Sequence, residues 1–138
     1  MKPASIFLLG MGALILAGCS SSAPPEEIVY EATNPAPVVE EENGMQYVYL
    51  TEGPSYFAED SIHVREGMVV FYVTNEADKD VTLVVTPVGC RDAENALFKV
   101  NIPRGRTTTH KVEMKPGLYE YCCPINQTEW YPLEVHQR

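Results

Sequence analysis

An all-β fold, a sandwich or barrel of about eight short strands set behind an N-terminal leader and an acidic tether, is predicted by this 138-residue sequence. Two observations carry the prediction. From Gln46 onward, apolar and aromatic residues alternate with polar ones in short runs, separated by turn signals such as Glu66-Gly67, Pro103-Arg104-Gly105 and Pro116-Gly117. No segment shows a sustained helical period, and Asp92 to Leu97 (DAENAL) is long enough for one helical turn or two only.

The leader comes first. Lys2 precedes an apolar run, Ile6 to Ala17, which closes on Leu16-Ala17-Gly18-Cys19. A positive start, a short apolar stretch and small residues before the cut define a secretory signal over residues 1–18. The run falls short of the roughly 20 apolar residues that a membrane span requires. Leu-Ala-Gly-Cys resembles the bacterial lipobox. That resemblance implies acyl chains of the palmitate type on Cys19, and several chains on one residue anchor stably where one is marginal. Ser20 follows the cysteine, which by resemblance to enterobacterial sorting favours the outer membrane over the inner, with the domain in the periplasm.

Residues 19–43 form the tether. After Cys19 they carry six acidic residues, four prolines and no basic residue, a composition that buries too little apolar surface to offset its ordering entropy. The expectation is a disordered, self-repelling stalk; the alternative is that Val38 and Val39 already belong to a first strand.

Residues 44–138 are enough for one small domain. Of the chain's formal charge of −9, the domain carries −4. No basic patch of the kind nucleic-acid binding requires is present, and an acidic surface is repelled by anionic lipid. The implied partners are the membrane, through the lipid anchor, and another envelope protein or membrane complex; nucleic acid is not among them.

Strands are expected at Gln46–Thr51, Ser61–Arg65, Met68–Thr74, Val81–Val85, Phe98–Ile102, Thr107–Met114, Gly117–Cys123 and Pro132–His136. In the seventh, period two puts Tyr119, Tyr121 and Cys123 on one face and Leu118, Glu120 and Cys122 on the other. The adjacent cysteines therefore diverge, and bonding them to each other would strain the ring. With Cys19 acylated, Cys90, Cys122 and Cys123 remain, and the economical disulfide in an oxidising compartment joins Cys90 to the outward Cys122. Cys123 is then a buried free thiol.

The stretch Lys115–Trp130, KPGLYEYCCPINQTEW, resembles the last strand and ligand loop of the cupredoxins, the blue-copper β-sandwich family, with Gly117, Tyr119, Tyr121 and Cys123 in register. The resemblance extends through YFAEDSIHVREGMVVFYVTNE and VNIPRGRTTTHKVEMKPGLYEYC. It implies a cupredoxin-like Greek-key sandwich, with Asn75 at the place of the family's bracing asparagine. It also implies ligand positions that this chain fills differently. The family's first histidine corresponds to Val81, flanked by Asp80 and Thr82; its second corresponds to Asn126, and its methionine to Tyr131. Only Cys123 matches a family ligand, and a blue-copper site needs a thiolate with two imidazoles.

His63, His110 and His136 fall within strands and are expected as surface histidines. A rebuilt copper centre would have to draw on Cys123, Glu129 and a histidine from another chain. Trp130 and Tyr131 are either an exposed interface pair or a plug in the empty pocket, and Asn126, Trp130 and Tyr131 together form the candidate interaction loop. No enzyme is indicated: Ser55, Ser61 and Thr107–Thr109 lack a nucleophile elbow or a neighbouring base, and no phosphate-cradling glycine loop occurs. Two functions are thus expected. One is a cofactor-free accessory or interaction subunit; the other is a copper-binding or electron-transfer protein that keeps Cys123 as a ligand.

Overall fold

The structure is a computed structural model, and it describes residues 33–138. The leader, the Cys19 anchor and the first part of the expected tether lie outside those residues.

Among the described residues nine strands build two facing sheets. Sheet one has the order β1-β2-β4-β7, from β1 (Val38–Glu40), β2 (Gln46–Glu52), β4 (Gly67–Asn75) and β7 (Thr107–Met114). Sheet two has the order β3-β9-β8-β5-β6, from β3 (Ile62–Arg65), β9 (Tyr131–His136), β8 (Gly117–Cys122), β5 (Val81–Pro87) and β6 (Phe98–Ile102). Most neighbours are antiparallel, but β2 runs parallel to β4 and β3 parallel to β9. Between β5 and β6 the DAENAL segment makes a single 3-10 turn, Ala93–Asn95, in which Asn95 N donates to Asp92 Oδ1 at 2.9 Å.

Alternation places the core. Val48 and Leu50 of β2, Val69, Phe71 and Val73 of β4, Leu83 and Val85 of β5, and Leu133 and Val135 of β9 all point between the sheets and are buried. Gln46 stands among these apolar residues at one end of the sandwich. Its side chain donates to the Arg65 carbonyl and accepts from the Arg65 amide, both at 2.7 Å, so β2 and β3 are joined across the layers by a side chain that imitates a β-bridge.

The start of the domain differs from the expected boundary at residue 44. Val38–Glu40 form β1, antiparallel to β2 in the register Val38↔Val48, and Ala36 is buried in the core. The segment is latched by Asp60, whose carboxylate accepts from Thr33 N (2.9 Å), Thr33 Oγ1 (2.7 Å) and Asn34 N (3.1 Å). Composition argued for disorder, yet the prolines and acids fit an edge strand. Pro35 and Pro37 precede the ladder, where no donor is demanded, and Glu40 and Glu41 project into solvent.

Candidate functional site

β2 and β8 deliver their last side chains to one end of the sandwich. Cys123 follows β8 directly and is buried in the core with Tyr121, as the period of two requires. The chain then turns tightly: Cys123 N donates to Thr128 Oγ1 at 2.8 Å, Thr128 N donates back to the Cys123 carbonyl at 3.2 Å, and Gln127 takes a left-handed φ of 52°. That turn folds Asn126 inward. Its Nδ2 donates to Glu52 Oε2 at 2.9 Å and to the Gly53 carbonyl at 3.1 Å.

Glu52 is the last residue of β2, on the inward face that also carries Gln46, Val48 and Leu50, and it is fully buried. Burial pushes its carboxyl above the ordinary range, against the opposing pull of Cys123 and Asn126. Burial likewise raises the Cys123 thiol, and the neighbouring Glu52 carboxyl raises it further. The Thr82 and Asn126 amides, which interact with the sulfur, work in the other direction. Glu52 Oε1 and Asn126 Oδ1 have no hydrogen-bond partner among the described residues. The site is thus a buried thiol, carboxyl and amide set.

Sequence reading named Cys123 and Asn126 but missed Glu52. The signal was present, since an acidic residue at an inward position of an alternating strand must find a buried partner.

The other named residues are placed as follows. Val81 opens β5 as a buried core residue, and its neighbour Thr82 supplies the amide near the Cys123 sulfur. Tyr131 packs its ring against Phe57 and Tyr121 at centroid distances of 6.0 and 5.4 Å, which is the behaviour of a plug. Trp130 is half-buried, with the Arg91 guanidinium 5.6 Å from its ring centroid. Within the candidate interaction loop Asn126 is interior and Trp130 and Tyr131 are partly covered, whereas Pro124, Ile125, Gln127 and Glu129 are exposed. Asn75 braces the β4–β5 turn, donating to the Lys79 and Ile102 carbonyls and accepting from Ala77 N. His110 stacks on Phe98 at 4.4 Å on β7, away from this cluster, and partial burial lowers its pKa.

The expected Cys90–Cys122 disulfide is not formed, since Cys122 and Cys123 are both free thiols. Antiparallel pairing sets Val84 opposite Cys122 and Pro87 opposite Tyr119. Cys122 does occupy the outer face, as parity requires, yet it is buried there beside Val84. Its thiol is pushed up to about 12, first by desolvation. Nearby Arg91 closes a bidentate pair with the buried Glu120, at 2.9 Å and 2.6 Å.

No protein-family model matches the chain, and no curated protein matches it by sequence. Solved structures do. Auracyanin A, a blue copper protein of Chloroflexus aurantiacus, superposes with a TM-score of 0.57 at 16% identity, covering 67% of this chain and 100% of its own. The fold is cupredoxin-like. Auracyanin B gives 0.56 at 18% identity over 75% of this chain and 95% of its own, and a reduced amicyanin variant gives 0.51 at 13% over 65% and 82%.

The cupredoxin-like fold makes copper the metal to test against these residues, and as a blue centre it does not fit. Cys123 has no imidazole beside it: Val81 is an aliphatic core residue, Tyr131 is packed on aromatic rings, and Asn126 is already bonded to Glu52. A carboxyl and an amide are harder donors than the pair of imidazoles that holds copper in both oxidation states.

Proposed function

We propose that this chain is a lipid-anchored envelope protein whose cupredoxin-like domain serves as a non-enzymatic accessory or interaction subunit, without a blue-copper centre. The observation that carries the reading is the Glu52–Asn126 hydrogen bond beside Cys123, which ties up the loop position where the resemblance places an imidazole. Cys19 would hold the domain at a bacterial membrane, the outer one favoured, and the exposed loop residues Ile125, Gln127 and Glu129 offer a small mixed surface to another envelope protein.

The second reading, a copper-binding or electron-transfer protein with Cys123 as ligand, is favoured by one feature. The residues beside the thiol hold two buried oxygens, Glu52 Oε1 and Asn126 Oδ1, without hydrogen-bond partners. Absorbance during Cu(I) and Cu(II) titration separates the two. The accessory reading expects no thiolate-to-copper band near roughly 600 nm and no copper whose retention depends on Cys123. One copper per chain that is lost in Cys123→Ser would overturn it in favour of the second.

A further inference from the structure

Parity along β3 and β9 puts His63, Arg65, Glu134 and His136 on the outer face of sheet two, away from the core. The parallel register sets His63 directly opposite Glu134, with His136 the next outward residue along β9. The imidazoles of His63 and His136 stack at 5.9 Å with 12° between their planes, and Glu134 Oε1 lies 3.8 Å from His136 Nε2. One donor atom from each of His63, Glu134 and His136 falls within 4.8 Å of the others. His63 and His136 also border an open depression of about 450 Å³ whose wall includes Glu40, Gln46, Arg65 and Gln137.

We propose that His63, Glu134 and His136 form a surface site for a borderline divalent metal ion of the zinc or copper(II) class. Two imidazoles and one carboxylate are the donors such ions take in open sites, with the remaining positions left to water or an incoming group. The donors stand on two hydrogen-bonded neighbouring strands, so little ordering is needed on binding. Ion pairing alone does not account for the cluster. An exposed Glu134–His136 contact at 3.8 Å contributes little, and it does not involve the second imidazole, which lies against the first at 5.9 Å. A metal ion uses both rings in the neutral form and takes the carboxylate as partial charge balance. Arg65, on the same face opposite His136, opposes a cation and tempers the affinity.

This site is separate from the Cys123 cluster. β9 begins opposite Tyr121, near Cys123, and ends at His136, about 17 Å away along the strand.

The test uses tag-free full chain. Isothermal titration with Zn2+ gives the stoichiometry and affinity, and electron paramagnetic resonance with one equivalent of Cu2+ reports the nitrogen donors. One saturable zinc per chain is expected, weakened at least about tenfold by His63→Ala, His136→Ala or Glu134→Gln and unchanged by Cys123→Ser. The Cu2+ spectrum should show coupling to imidazole nitrogen that disappears in the double histidine variant. The three side chains are at the surface, so thermal melts of the variants should match the parent and exclude unfolding as the cause. Absence of saturable zinc, equal zinc affinity in the double histidine variant, or loss of zinc in Cys123→Ser would each overturn the assignment.

Discussion

Asn126 donates to Glu52 at 2.9 Å across 74 positions of sequence, joining the loop after β8 to the end of β2 inside the sandwich. An amide is the side chain suited to this place. It supplies an N–H to the carboxyl while its second donor reaches the Gly53 carbonyl at 3.1 Å, so both protons of one NH2 group are used in the interior.

The first prediction concerns Glu52 and pH. Its folded-state pKa is raised by burial, so the native protein holds a proton that the unfolded chain releases. Stability is therefore fullest below the unfolded carboxyl value and is lost as pH rises through the folded one. Glu52→Gln removes that titration while keeping the shape. Denaturant melts from about pH 5 to about pH 8 should show the parent losing stability relative to the variant as pH climbs; parallel curves would contradict it. Glu59, also raised, remains in both proteins and cancels from the comparison.

The thiols provide the second. Cys122 is pushed up to about 12 and Cys123 is also raised, both chiefly by desolvation, and the thiolate is the form that reacts. Iodoacetamide at neutral pH should leave both unmodified in the native protein and alkylate both in denaturant. Peptide mass mapping reads the outcome, and rapid native labelling of either residue would show that its pocket opens.

The domain boundary gives the third. A chain beginning at residue 44 lacks β1, the buried Ala36 and the three hydrogen bonds to Asp60. Against one beginning at residue 33, it should be less stable by on the order of 2–4 kcal/mol. That corresponds to a melting temperature lower by about 10 °C or more. Equal melting temperatures would return residues 33–43 to the tether.

The strands from Gln46 to His136 were legible because each alternates, and because turn signals bound them; Phe98–Ile102 and Thr107–Met114 fall where expected. Parity also gave the opposite facing of Cys122 and Cys123. β1 was legible only as the alternative, with Val38 and Val39 in a first strand, since two prolines and a run of glutamates look disordered until the Asp60 latch, some 26 residues away, is seen. Partnership between distant strands was the harder matter. Nothing local to Glu52 names Asn126, and nothing local to His63 names Glu134 or His136, because the β3–β9 register joins segments about seventy positions apart.

Insertion of β9 between β3 and β8 has a kinetic consequence. Among the described residues β9 is the one partner strand of β3, so Ile62–Arg65 gains its ladder only once Tyr131–His136 arrives. Late docking between such remote segments raises the contact order and slows folding. A nascent chain released up to residue 130 therefore cannot complete sheet two, and β3 and the free edge of β8 stay without their common neighbour until β9 emerges.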